Sequence, residues 1–324
     1  LAATSASFLL FGMALVYAET GTLAFSSLAA SVHHMETAGY PALFLAGVGM
    51  IVVGVGFKLA VVPFHLWTPD VYEGAPAPVT AFVATASKGA MVALMLRYFY
   101  TSGSLSNTAV FWAFAVIAGA SMIVGNFLAL FQNNVKRILA YSSIAHLGYI
   151  LVAFLAGGIM AAPAVTFYLV AYFLTTLGAF SVMTALSGAK REAEEMGDYR
   201  GLARRHPWLA GAMTASLFSL AGIPLTAGFV GKFFLVRAGV GSALWVLVLL
   251  LVLTSTVGLF YYLRIVVAIY SSPEEKTAGE PAGRSAISLT GAALISALTL
   301  LLVWVGVYPG PVMQLVHAAV TRML

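Results

Sequence analysis

The sequence predicts an all-α protein that crosses a membrane many times, and three observations carry that reading. The 324 residues are 61% hydrophobic and 8% charged, with a mean hydropathy of +0.98, a composition foreign to soluble domains. The apolar residues fall into nine runs, each long enough to cross a hydrocarbon layer of about 30 Å as a helix. No run shows the alternating polarity over about ten residues that a strand of a membrane barrel requires.

In order, the runs cover about 2–28, 42–64, 77–99, 109–131, 138–158, 163–187, 208–236, 243–268 and 286–307. The first opens at Leu1 without a methionine or a signal-peptide n-region, so the chain reads as a partial one. The second carries Lys58 as its only charge, with Gly54 and Gly56 before it and Pro63 after it. Proline lacks an amide hydrogen and clashes with the preceding turn, so this helix is expected to break there. Lys88 lies near the middle of the third. The fifth holds His146, with Ser142 at i−4 and Tyr149 at i+3 on the same face. The seventh is interrupted between Ser219 and Gly228 by a proline and two glycines, and Pro224 stands eight residues before Lys232. Carbonyls freed by such breaks are tolerable only inside protein or beside a wet cavity. Paired interruptions in two halves of a chain are the usual pointer to a transport site.

Basic residues set the orientation. Lys136, Arg137, Lys190, Arg191, Arg200, Arg204, Arg205, Lys276 and Arg284 fall in connections that share one side, against Arg97, Arg237 and Arg322 on the other. The richer side is expected to be cytoplasmic, which puts the first residue there and the last on the periplasmic face. The segment from Lys190 to Arg205 mixes signs and reads either as a solvated connection or as a docking surface for a partner subunit.

Several chemistries are excluded. There is no cysteine, hence no disulfide, thiolate metal site, iron–sulfur ligand or thiol nucleophile. No metal-ligand spacing, phosphate-cradling loop or nucleophile triad is present, and Gly54-Val55-Gly56 lies inside a span without the rest of a nucleotide-binding pattern. The net charge of +5 includes the three span lysines and does not mark a nucleic-acid binder. The expected surroundings are a lipid bilayer and protons.

Ionisable residues within spans are rare and mark ion or proton pathways. Burial disfavours the charged form of a lysine, so Lys58, Lys88 and Lys232 are candidate proton carriers. Snorkelling is the competing reading for the off-centre Lys58 and Lys232, and is hardest for Lys88. His146 reads either as a relay between lysines or as a hydrogen-bonded core side chain. His65, in Pro63-Phe64-His65-Leu66-Trp67-Thr68-Pro69-Asp70, forms a proton entry with Asp70 and Glu73 or belongs to an interfacial loop with Trp67 and Tyr72 in an aromatic belt.

Three blocks carry a family resemblance. Gly56-Phe57-Lys58-Leu59-Ala60-Val61-Val62-Pro63 runs on through Asp70-Val71-Tyr72-Glu73-Gly74-Ala75-Pro76 to Ala86-Ser87-Lys88. The others are Asn134-Val135-Lys136-Arg137-Ile138-Leu139-Ala140-Tyr141-Ser142-Ser143-Ile144-Ala145-His146-Leu147-Gly148-Tyr149 and Ser219-Leu220-Ala221-Gly222-Ile223-Pro224-Leu225-Thr226-Ala227-Gly228-Phe229. Together they resemble the N-type antiporter-like subunits of respiratory complex I, the proton-translocating NADH:quinone oxidoreductase.

The resemblance implies an antiporter-like bundle of inverted five-helix repeats, each with a broken helix. It divides the chain into an incomplete first repeat (1–100), a second repeat (101–270), and a C-terminal connection with the last span (271–324). The five preceding helices of the family, including the one bearing the glutamate partner of Lys58, are expected to lie outside the chain. Lys58, Lys88, His146 and Lys232 then line up as proton-translocating residues, and pumping is coupled to electron transfer in other subunits. FMN, iron–sulfur clusters and quinone are expected in those subunits and no cofactor in this one. The partners would be other membrane-arm subunits, neighbouring antiporter-like ones among them, in the bacterial inner membrane. Multisubunit cation/proton antiporters share the fold and form the alternative reading.

Overall fold

The computed structural model of the protein describes residues 2–188, 191–272 and 288–323. Lys190, Lys276 and Arg284, used above for orientation, lie outside the described residues. Among those described, the chain is helical, without a strand and with one isolated bridge between Asn134 and Glu195.

The first run is shorter than its apolar composition suggests. Helix α1 (Ala2–Thr20) stops at Gly21, whose φ is +70°, and α2 (Phe25–Ala38) is a separate helix. Next come α3 (Ala42–Leu59) and α4 (Trp67–Gly74). A single span is built from α5 (Ala77–Phe82), a π-helical turn (Val83–Ser87) and α6 (Lys88–Ser102). Three long helices follow: α7 (Thr108–Leu130), α8 (Val135–Ala156) and α9 (Gly158–Leu186). The short α10 (Leu202–Arg205) leads into α11 (Pro207–Ala221), α12 (Ala227–Gly241), α13 (Trp245–Tyr270), α14 (Leu289–Val307) and α15 (Gly310–Met323). Eight of these helices or helix runs are long and apolar enough to cross a membrane. The remaining run, 208–236, is the pair α11 and α12, each too short to span alone. The sequence reading assigns no element to α15.

Caps explain several ends. Asn107 accepts from the amides of Ala109 and Val110 at the start of α7, and Asn134 from that of Arg137 at the start of α8. Packing in lipid relies on close backbone approach at small residues. A methyl group on Gly12 of α1 would sit 2.7 Å from the carbonyl of Gly47 in α3, and one on Gly125 of α7 would sit 2.7 Å from the amide nitrogen of Ala145 in α8.

Both expected helix breaks exist. Gly54 and Gly56 lie within the continuous α3; they admit Leu9 and the Phe64 ring at distances a methyl group would close to below 3 Å. The chain leaves the helix only at Ala60, and Val62–Pro63 is a cis peptide. The two breaks use one turn. Ala60 (φ +60°) and Gly222 (φ +85°) are both left-handed, and the next amide, Val61 or Ile223, donates back to Gly56 or Phe218. This is the six-to-one bond of a Schellman cap.

The buried apolar side chains form two clusters, one toward each end of the bundle. The long helices of the middle change cluster at or beside polar residues: Thr85 and Lys88 on the α5–α6 span, Ser142 and Ser143 on α8 with His146 just beyond, Tyr172 on α9 followed by Thr175 and Thr176, and Thr254 on α13. A polar layer therefore runs across the helices between two apolar cores.

Candidate functional site

The polar layer is built around three cations or potential cations. Lys88 is 1% exposed, at the point where the π-helical turn hands over to α6. Its Nζ donates to Ser143 Oγ at 2.6 Å and stands 5.6 Å from the centre of the Tyr72 ring. Ser143 is a junction: Tyr172 on α9 donates to the same oxygen at 2.9 Å, and Tyr72 on α4 at 3.4 Å.

One turn along α8, His146 is held from both sides. Its Nδ1 is 2.6 Å from the Tyr168 hydroxyl and its Nε2 is 3.0 Å from that of Tyr262. Tyr262 also bonds Ser142. The Tyr172 ring, whose hydroxyl reaches Ser143, lies 5.5 Å from the imidazole, and the Tyr149 ring lies 5.4 Å away.

Tyr149 continues to the third group: Lys232 Nζ stands 5.5 Å from its ring centre. That ammonium donates to the carbonyls of Leu220 and Ala221 at 2.8 and 2.9 Å, and to Ser255 Oγ at 2.7 Å. These are the carbonyls that the break at the end of α11 leaves without helical partners, and a cation at a helix C-terminus also meets the dipole favourably. Glycine is required here. At Gly222 the backbone is left-handed and a methyl group would meet Lys232 Cδ at 2.9 Å, while at Gly228 it would sit 1.9 Å from the Ser219 carbonyl. A side branch leaves Tyr149, whose hydroxyl accepts from Asn126; Asn126 in turn accepts from Tyr261.

The structure thus brings together three of the five residues singled out in the sequence: Lys88, His146 and Lys232. Lys58 stands apart, at the end of α3, exposed and with no hydrogen bond or ion pair among the described residues. The carbonyl of Phe57 beside it is taken by the Trp67 indole at 3.1 Å, with the two rings stacked. His65 is buried with Nδ1 unpartnered among the described residues, and in this link between spans burial pushes its imidazole below its usual range. Asp70 and Glu73, its expected companions, bind Arg137 at 2.9 and 2.6 Å instead.

Nearby, Lys136 is 2% exposed and ties the segments together. It pairs with Glu192 and Glu194 and donates to the carbonyls of Glu73 and Ala75. The mixed-charge segment is thereby fastened to α4, α5 and the start of α8, and Glu192 also accepts from the Ala77 amide.

Sequence reasoning missed Tyr168, Tyr172, Tyr262 and Ser255, and read Tyr72 only as a belt residue. Their signal is weak but present: Tyr168 and Tyr172 stand four apart in α9, which puts two hydroxyls on one face of an otherwise apolar helix.

Comparison with known proteins adds the family. A model described as NADH:quinone oxidoreductase/Mrp antiporter, transmembrane, matches residues 1–258. NADH-quinone oxidoreductase subunit N of Nitrosospira multiformis is 50% identical, covering 98% of this chain and 66% of that protein. The subunit N of Ectopseudomonas mendocina is 47% identical, covering 98% and 64%. A chain of respiratory complex I from Thermus thermophilus with bound aureothin superposes with a TM-score of 0.80 at 35% identity, over 97% of this chain and 66% of that one. The chain spans about two thirds of the length of these relatives. Its matched residues and its relatives agree, and the protein belongs to the NADH:quinone oxidoreductase/Mrp antiporter transmembrane family.

Proposed function

We propose that the chain is part of a proton-translocating membrane-arm subunit of NADH:quinone oxidoreductase. The observation that carries this reading is the continuous buried layer from Lys88 through Ser143, Tyr172, His146 and Tyr149 to Lys232, lying across a membrane bundle. The names of the two subunit N relatives support the choice of complex.

The chemistry follows from the layer. Hydroxyls and an imidazole both donate and accept, so a proton can pass by exchange of hydrogen bonds within each bonded group, Lys88–Ser143–Tyr172, Ser142–Tyr262–His146–Tyr168 and Lys232–Ser255. Between the groups only rings are in contact, and transfer there would need a bridging water. Charges on Lys88, His146 and Lys232 repel one another through a medium that screens poorly, so protonating one group favours release from the next. The residues hold and move protons only. FMN, iron–sulfur clusters and quinone belong to other subunits, and neighbouring antiporter-like subunits would flank this one in the inner membrane. The first residue would face the cytoplasm and the last the periplasm. The recurrence of one Schellman turn at Ala60 and Gly222 is what a first repeat in 1–100 and a second in 101–270 would produce.

The test is Lys88→Met in the full-length subunit within the assembled complex, reconstituted in vesicles. NADH-driven acidification is expected to fall about tenfold or more, the loss that follows from about 1.4 kcal/mol on one transfer step. An unchanged rate in an intact complex would remove Lys88 from the path.

A further inference from the structure

Far from the polar layer, at the other end of α6, two cavities meet. The first is a narrow crevice of about 80 Å³ between α1, α2, α3 and α6, lined by apolar side chains such as Leu9, Met13, Val16, Ile51, Val55 and Leu94. The second is an open recess of about 520 Å³ with Ser26, Arg97 and Thr101 in its wall. Leu23 and Phe25 line both, so the crevice and the recess are adjacent.

The two differ in chemistry as the two parts of a lipid do. Arg97 is exposed, has no acidic partner among the described residues, and rests its guanidinium 5.7 Å from the Phe25 ring. Stacking of this kind holds the cation in place while leaving its donors free for an anion. It stands nine residues beyond the buried Lys88 on the same helix run, about 14 Å along the axis at 1.5 Å per residue. That distance matches the ~15 Å from the bilayer centre to the edge of its hydrocarbon. The crevice follows α1 from Leu9 to Val16, about 10 Å of depth, directed back toward the centre.

We propose that this composite cavity binds one anionic phospholipid, with its phosphate on Arg97, Ser26 and Thr101 and one acyl chain in the crevice between α1 and α6. Ser26 and Thr101 give the phosphate hydroxyl donors as well as the charge of Arg97.

The test uses the full complex incubated with phosphatidylglycerol bearing a photoreactive acyl chain, with cross-links mapped by peptide mass spectrometry. Labelling is expected on the peptides holding Leu9–Val16 and Leu94–Phe99. Arg97→Gln should cut it about fivefold by removing the charge–phosphate contact, worth about 1 kcal/mol at an exposed site. Leu94→Trp, which fills the crevice and keeps the Arg97 charge, should cut it as far. Equal labelling by neutral phosphatidylcholine would overturn the proposal, as would labelling that neither substitution reduces. Displacement by millimolar inorganic phosphate with no effect of Leu94→Trp would make the recess a free-anion site, and would also overturn it.

Discussion

The two helix breaks share a backbone turn but are closed by different groups. At the end of α3 the Phe57 carbonyl accepts from the Ala60 amide and again from the Trp67 indole, and the adjacent Lys58 side chain makes no bond among the described residues. At the end of α11 the turn at Gly222 leaves two carbonyls to the ammonium of Lys232. An indole N–H donates whatever the charge state of its surroundings; an ammonium donates three bonds only while protonated. The second break is therefore fastened by a group that titrates and the first by one that does not. The same turn can be a fixed joint or a charge-sensitive one, and the capping side chain decides which.

Substitutions at the two breaks sharpen that contrast. The largest effect is expected for Lys232→Met, which strands the Leu220 and Ala221 carbonyls; at about 1–3 kcal/mol for each orphaned buried group, thermal unfolding of the purified full-length subunit should move down by many degrees. Lys58→Met should leave the melting temperature nearly unchanged, and an equal drop would erase the distinction. Next come swaps at the left-handed residues, which should have opposite signs. Gly222→Ala places a methyl group against Lys232 and strains the turn, costing about 1–2 kcal/mol, whereas Ala60→Gly relieves the same strain and should raise the melting temperature. Smaller again is Trp67→Phe, which keeps the stacking on Phe57 but loses one hydrogen bond, about 1 kcal/mol.

The smallest effect is a pH dependence at the first break. His65 has its imidazole pushed down by burial, so the folded state holds it neutral more firmly than the unfolded chain does. That contribution is complete above the unfolded value near 6.5 and is lost as the pH falls toward the folded one. His65→Gln should flatten the decline of melting temperature between about pH 6.5 and 5; an unaltered slope would assign the decline to other groups.

Much of the bundle was legible in advance because apolar runs of about twenty residues leave few alternatives in lipid. Lys88, His146 and Lys232 were legible for the same reason, since an ionisable group in such a run needs a cause. Both breaks were placed, near Pro63 and near Pro224, but Gly54 and Gly56, grouped with the first, serve close packing inside α3. Trp67 reads as a belt residue and is a helix cap. Tyr149 was legible from its place beside His146, whereas Tyr168, Tyr172 and Tyr262 were missed because an aromatic ring in an apolar run carries no outward sign of whether its hydroxyl is paired. Only the packing of α8 against α9 and α13 brings those hydroxyls onto Ser143 and His146.

The central claim is that Lys88 and Lys232 lie on one proton path. The direct measurement is the initial rate of NADH-driven acidification in vesicles holding the assembled complex with Ser143→Ala, Ser255→Ala, or both. Each single substitution removes one hydrogen bond from one lysine, and about 1 kcal/mol on a transfer step slows it about fivefold. Two slow steps in series add their delays, so the double variant is expected to pump at no less than about half the rate of the slower single one. A multiplicative loss, near twenty-fivefold by the same arithmetic, would contradict the account.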